Sequence, residues 1–308
     1  MRANVKLTLL FNELEYFCPA FLVLKIPYVN CTDTAQAPPP CASTWYKPQA
    51  LILEWEREAV RLELCTWQEV ETYLDRQHAI IVPIGSTEQH GPNGLLGTDS
   101  LTAEHIAWTA GEKAGVLVGP TITVGMAQHH LGFPGTVSLR PSTLLALIVD
   151  YVRSLTVHGF DRFYFLNGHG GNAATITAAF SEIYAEASFA RRGANQTTLR
   201  LGLQNWWMGS RVRQVSGAHF SGKEGSHATP SEISLTYFLY PDAEKSANIE
   251  PPLAPSGRIR DSHHYRARFP DGRIGSDPRG ASAAIGAELF EAAVDDIIDD
   301  CRRFLASD

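Results

Sequence analysis

The chain has 308 residues, 44 % of them hydrophobic and 19 % charged, with a formal net charge of −7 at pH 7. That length suits one large α/β domain with an appendage, and the composition is that of a folded soluble enzyme, not of a disordered tail. An acidic surplus without a basic stripe argues against nucleic acid as a partner, and no apolar run reaches the roughly 20 residues that cross a bilayer, so no membrane partner is expected either.

Residues 1–60 read as an N-terminal extension outside the catalytic fold, poorly structured or a mis-assigned start. Glu13 and Glu15 break up its apolar patches, and residues 31–50 have the proline-rich composition of a linker. Five cysteines (Cys18, Cys31, Cys41, Cys65 and Cys301) are irregularly spaced and form no CxxC pair. This favours neither a disulfide framework nor a thiolate zinc site, and a reducing cytoplasm is the simplest setting.

From residue 61 the pattern becomes regular. Thr66 starts a helix that runs to Arg76, and residues 79–85 (AIIVPIG) have the near-continuous apolarity of a strand buried on both faces. A helix over 99–113, a strand over 116–118, a helix over 142–158 and a strand over 162–166 follow. Residues 172–192 are Ala-rich and helical with Gly193 as their stop, 199–205 form a strand, and 232–240 and 281–304 are helices. This alternation predicts an α/β domain over residues 61–308 with a mainly parallel sheet covered by helices on both faces. Polar loops follow three of the strands and carry Glu88 and His90, His169, and Trp206-Trp207. In open α/β sheets ligands bind beyond the carboxyl ends of the strands, so these loops converge on one edge.

In STEQHGPNGLLGTD (86–99), Glu88 and His90 lie two apart and can turn toward one point, while Asp99 opens the next helix. Carboxylate, imidazole and carboxylate suit Zn, Mn or Fe. Equally, Asp99 could be a helix cap, and Glu88 and His90 ordinary loop residues. NGHGGN (167–172) shifts that balance, because glycines on both sides of His169 let the backbone turn sharply and present one imidazole. A phosphate loop is the weaker reading, since the spacing is neither GxGxxG nor GxxxxGK[ST]. In GSHATPSEIS (225–234), His227 and Glu232 lie five apart across Pro230. His227 suits a general acid/base and Glu232 a metal ligand or base, unless Ser231 caps the helix and Glu232 only complements its dipole.

Taken together, PIGSTEQHGPNGLLGTD, HHLGFPGTVSL (129–139), LNGHGGN, the His227–Glu232 spacing and GSDPRGASAAIG (275–286) resemble the creatininase (creatinine amidohydrolase) family over residues 62–304. The resemblance implies the Rossmann-like, three-layer α/β/α creatininase fold, a dinuclear metal centre and a homo-oligomer, often a hexamer. Glu88 and His169 would bind one ion, His90 the other, and Asp99 would bridge. His227 would pass a proton to the departing nitrogen of a small-molecule amide. Two departures bear on substrate. Creatininase proper has Tyr-Glu where this chain has Gly170-Gly171, which leaves Glu232 as the substitute ligand, and a serine where this chain has Ala127. The glycine pair is more like branches that hydrolyse formamide groups on pyrimidine intermediates or trim a modified precursor peptide. A non-catalytic binding member of the fold is the remaining alternative.

Gly170, His130, Trp206 and Trp207 are the candidate substrate contacts, with either tryptophan equally able to close the core. His129 is expected on the loop surface, and His263-His264, beside Arg266 and Arg268, in an exposed basic loop.

Overall fold

The structure is a computed structural model that describes residues 60–190 and 198–307, all within one compact unit, residues 55–308. Apart from Val60, the proposed extension lies outside the described residues, and so does Gly193.

Four parallel strands form one sheet in the order β2-β1-β3-β4: β1 (Ala79–Ile84), β2 (Leu117–Val118), β3 (Arg162–Asn167) and β4 (Arg200–Asn205). Every residue of β1 is buried, as its apolar run requires. Pro83 would be out of place in a fully paired central strand. It is accommodated because β2 pairs only with Ile80 and Ile81, and beyond them the Pro83 carbonyl accepts from the Ile122 N–H at 3.0 Å.

Alternate strand residues face two separate cores. Ala79, Ile81, Tyr164 and Leu166 pack with α2 (Thr98–Ala114), α5 (Ser210–Phe220), α6 (Pro230–Leu239) and α8 (Ala283–Ala306). Ile80, Val82, Ile84, Phe163 and Phe165 pack with α1 (Trp67–Leu74), α3 (Pro141–Thr156) and α4 (Ala173–Phe189). The result is the expected three-layer α/β/α architecture.

Two helices were not expected. The N-terminus of α5 is capped by a residue remote in sequence, Asp296 of α8, whose Oδ2 accepts from the N–H groups of Arg211 and Val212 at 2.9 and 3.1 Å. Local sequence carries no sign of such a cap. The other, α7 (Ser262–Arg268), occupies the stretch read as a basic loop; Asp261 caps it by accepting from the N–H groups of His263 and His264.

Strand order fixes where a ligand can sit. The chain leaves β1 toward β2 on one side and leaves β3 toward β4 on the other, so β1 and β3 flank the topological switch point. Ile84 and Asn167 are register partners at the ends of these strands, and the loops that follow emerge side by side. Gly85 and Gly168 let both strand ends meet the first turn of α2, since a Cβ at either would overlap the backbone of Asp99–Ser100. Asp99 is thereby wedged between the two loops.

Candidate metal centre and its cavity

The loop after β1 buries Glu88 and His90, the loop after β3 buries His169, and α2 supplies Asp99. Ser86 Oγ donates to Glu88 Oε2 at 2.9 Å, which turns Oε1 inward. Around Oε1 stand His130 Nε2 at 3.1 Å, His169 Nδ1 at 3.3 Å and His227 Nδ1 at 3.8 Å. His169 Nδ1 is also 3.1 Å from Asp99 Oδ2, and His90 Nε2 is 3.0 Å from Asp99 Oδ1 and 3.9 Å from Glu232 Oε2. The structure thus brings together the five residues predicted as ligands, with His227 and His130 beside them.

Backbone carbonyls orient two of these rings. His169 Nε2 donates to the Met126 carbonyl at 3.1 Å, which turns Nδ1 toward the carboxylates. His90 Nδ1 donates to the Glu88 carbonyl at 3.1 Å, which turns Nε2 toward Asp99. An outer hydrogen bond that fixes ring orientation in this way is the usual companion of a metal-bound histidine.

Glu232 does two things at once. Its Oε1 accepts from the Thr229 N–H at 2.6 Å in a capping box, while Oε2 faces His90. The cap of α6 is therefore Thr229, not Ser231, whose hydroxyl donates to Glu224 at 2.8 Å. Just before this helix Ala228 adopts φ of 53°, a left-handed conformation uncommon for a residue with a side chain. Such strain gathers at functional sites, and here it adjoins His227.

Charge in the cluster is unbalanced without a cation. Burial opposes protonation of His90, but the carboxylates of Asp99, Glu232 and Glu88 outweigh it and push His90 up to about 10. At His169 burial is likewise overcome, chiefly by Glu88 and Asp99, and its value rises to about 9. Burial raises Glu232 to about 7 against the pull of His90. Burial works to raise Asp99 too, but His90 and His169 hold it below the usual carboxylate range. Burial and the neighbouring histidines keep His227 and His130 neutral.

The donor set fits divalent metal. Glu88 Oε1 and Asp99 Oδ2 are buried with no hydrogen-bond partner, although imidazole nitrogens surround them. Unpartnered anionic oxygens are costly unless a cation is shared among them. Three overlapping triplets, Glu88–His90–Asp99, His90–His227–Glu232 and Glu88–His130–His227, each hold their ligand atoms within 4.8 Å of one another.

A cavity of about 770 Å³ opens onto this cluster. Trp207 and Gly170 form part of its wall, with Trp207 Cζ2 3.9 Å from where a Cβ on Gly170 would lie. Trp206 touches the cavity but belongs to the core at 1 % exposure, while Trp207, half-buried, packs against that core and lines the cavity. Both His129 and His130 line the cavity. His129 is half-buried with its ring 4.3 Å from that of His130, which corrects the expected surface position.

The sequence reading missed several residues that shape the site. Gln89 and Tyr265 stand behind His130 and His227. Asn167 Nδ2 donates to the His169 carbonyl at 2.6 Å. Asn172 ties Gly85 to Met126, donating to one backbone and accepting from the other, each at 2.9 Å. Glu224, raised by burial, accepts from Ser216 and Ser231 on the cavity wall. Gln89 and the two asparagines sit inside the motifs already singled out, whereas nothing local marks Tyr265.

A family profile described as "Creatinine amidohydrolase" matches residues 63–301. The chain belongs to the creatininase family. It is a metal-dependent amidohydrolase by that membership and by the carboxylate–imidazole cluster. It is 30 % identical over 234 residues to a mycofactocin precursor peptide peptidase of Mycolicibacterium smegmatis, covering 73 % of this chain and 85 % of that one. To a creatinine amidohydrolase of Pseudomonas putida it is 28 % identical over 187 residues, covering 58 % and 70 %. A solved creatininase with manganese has a TM-score of 0.69 at 26 % identity, and a zinc–zinc form of a creatininase mutant 0.70 at 25 %. Each comparison covers 80 % of this chain and 99 % of the other.

Proposed function

We propose that the chain hydrolyses a non-peptide carbon–nitrogen bond, in an amide or cyclic amide of the creatinine type, with two divalent ions. Glu88, Asp99 and His169 would hold one ion, and His90, Asp99 and Glu232 the other. The observation that carries this reading is the pair of orphaned oxygens, Glu88 Oε1 and Asp99 Oδ2, each facing imidazole nitrogens. Zn, Mn and Fe all accept such donors, and the zinc–zinc and manganese forms of solved creatininases favour the first two. Bound there, the ions supply Lewis acidity toward the substrate carbonyl and lower the pKa of water to about 7.

The chain's own residues do the rest. His227 is neutral with Nδ1 3.8 Å from Glu88 Oε1, placed to take a proton and return it to the departing nitrogen. Trp207 offers an aromatic wall against which a flat amide can lie, and His130 also lines the cavity. The test is a turnover screen of protein reconstituted with Zn, Mn or Fe(II) on creatinine, formamidopyrimidines and short peptides. Metal-loaded protein inactive on every amide would sink the reading and leave a binding role.

A second reading, a peptidase that trims a modified precursor, has its own support. About 770 Å³ lies in the range that encloses drug-sized ligands, far roomier than one five-membered ring needs. Arg213 and Arg258 line the cavity with no ion-pair partner among the described residues, available for a substrate carboxylate. The likeness to the mycofactocin precursor peptide peptidase points the same way. Faster turnover of free-carboxylate peptides than of creatinine would make this the primary activity.

A homo-oligomer, by family likeness a hexamer, and a cytoplasmic setting complete the proposal. The setting is supported by the five irregularly spaced cysteines of the sequence, which form no CxxC pair. Light scattering tests the assembly, and a monomer would overturn it.

A further inference from the structure

We propose that Gln89 is a positioning residue that holds two imidazoles of the site in fixed tautomers, His130 protonated on Nε2 and His227 bare on Nδ1. The roles this gives the two rings rest on the amidohydrolase reading, but the tautomers themselves do not.

The orientation of the Gln89 amide is determined by its backbone neighbours. Oε1 accepts from the Gly91 N–H at 2.8 Å, and Nε2 donates to the Gly272 carbonyl at 3.0 Å. A flipped amide would set oxygen against oxygen and N–H against N–H. Gly272 is itself required here: its φ is +88°, and a Cβ would overlap the Gln89 amide.

The His227 tautomer follows from a main-chain atom. Its Nε2 lies 2.7 Å from the carbonyl oxygen of Gln89, which can only accept. Nε2 therefore carries a proton, which leaves Nδ1, 3.8 Å from Glu88 Oε1, as the nitrogen for the lone pair. A protonated Nε2 cannot accept, so the 2.9 Å approach of the Gln89 amide nitrogen to it is not a hydrogen bond.

Two amide protons are available, and one goes to Gly272. Tyr265 gives its hydroxyl proton to the same carbonyl at 2.7 Å and stands 3.2 Å from the amide nitrogen. The second amide proton is directed at His130 Nδ1, 2.9 Å away. To accept it, Nδ1 must keep its lone pair, so the ring's proton sits on Nε2, 3.1 Å from Glu88 Oε1.

One residue between two predicted ligands thus makes neighbouring imidazoles opposites. His227 offers a lone pair to a proton or a cation, and His130 offers an N–H. An outer-shell partner of this kind typically carries about 10–100-fold in activity or metal affinity.

The test is long-range ¹H–¹⁵N correlation of histidine ring nitrogens in the full chain, metal-free and zinc-loaded. Spectra of His130→Gln and His227→Gln provide the assignments. Expected in the wild type are Nε2-protonated rings for both residues. A proton on Nδ1 of either ring overturns the proposal without recourse to any Gln89 variant. Gln89→Glu keeps the acceptor for Gly91 but cannot donate to His130, so its proton should move to Nδ1. Then kcat should fall about 10–100-fold with KM within about twofold. An unchanged tautomer or an unchanged kcat in Gln89→Glu contradicts the positioning role. If the tautomers are as proposed but no amide is turned over, the functional reading fails and this one stands.

Discussion

His90 Nε2 stands 3.0 Å from Asp99 Oδ1 while its other nitrogen is committed to the Glu88 carbonyl at 3.1 Å. A ring held between two acceptors needs a cation on the carboxylate side. Without metal that cation is a proton, and with metal the proton must leave.

This exchange has a pH signature. In the metal-free protein His90 and His169 lie at about 10 and about 9, above the ~6.5 of an unfolded histidine. Raised values contribute stability that is fully present below about 6.5 and lost as pH rises through 9–10. The Tm of metal-free protein should therefore fall from pH 7 to 10, and that of zinc-loaded protein should fall less. Calorimetric titration of zinc at pH 7 in buffers of different ionisation enthalpy should show release of about two protons. A flat metal-free Tm, or no proton release, contradicts the assignment.

Glu232 can be separated into its two functions. Glu232→Gln keeps an oxygen for the Thr229 N–H but removes the charge facing His90, so metal affinity should drop with little change in apoprotein Tm. Thr229→Ala should cost about 1 kcal/mol of stability through the lost cap and leave metal stoichiometry intact. Unchanged affinity in Glu232→Gln would remove it from the ligand set.

The adjacent glycines should respond differently. A Cβ at Gly171 would overlap His169 Nε2 and crowd the Met126 carbonyl, whereas one at Gly170 meets nothing nearer than Trp207 at 3.9 Å. Gly171→Ala should weaken metal binding, and Gly170→Ala should bind normally. Equal metal affinity in the two variants would show that the His169 hydrogen bond to Met126 is dispensable.

His227→Asn retains a donor for the Gln89 carbonyl but has no basic nitrogen. Its kcat/KM should fall about 10²–10⁴-fold, the range of a lost general acid–base, with two ions still bound. Activity within a few-fold of wild type would take proton transfer away from His227.

The fold was readable because strand and helix periods alternate and the buried strands are nearly all apolar, as in AIIVPI. Ligand candidates were readable because carboxylates and imidazoles crowd into loops after strands. What stayed hidden depends on contacts distant in sequence. The α5 cap comes from Asp296, 85 positions beyond Arg211, and Tyr265 reaches Gln89 across 176 positions. Glu232 exposed both of its readings in sequence, and the structure leaves room for both, since one carboxylate oxygen accepts from the Thr229 N–H while the other faces His90. His129 was misplaced because a short helical turn over Gln128–His130 brings both histidines onto the cavity.

Metal content tests the central claim most directly. Elemental analysis of protein purified without chelator, beside Glu88→Gln and Asp99→Asn, should show about two equivalents of Zn, Mn or Fe per wild-type chain. Both variants should lose metal and turnover together. Less than about half an equivalent in the wild type, or full occupancy and activity in both variants, would contradict a catalytic metal centre at Glu88, His90, Asp99, His169 and Glu232.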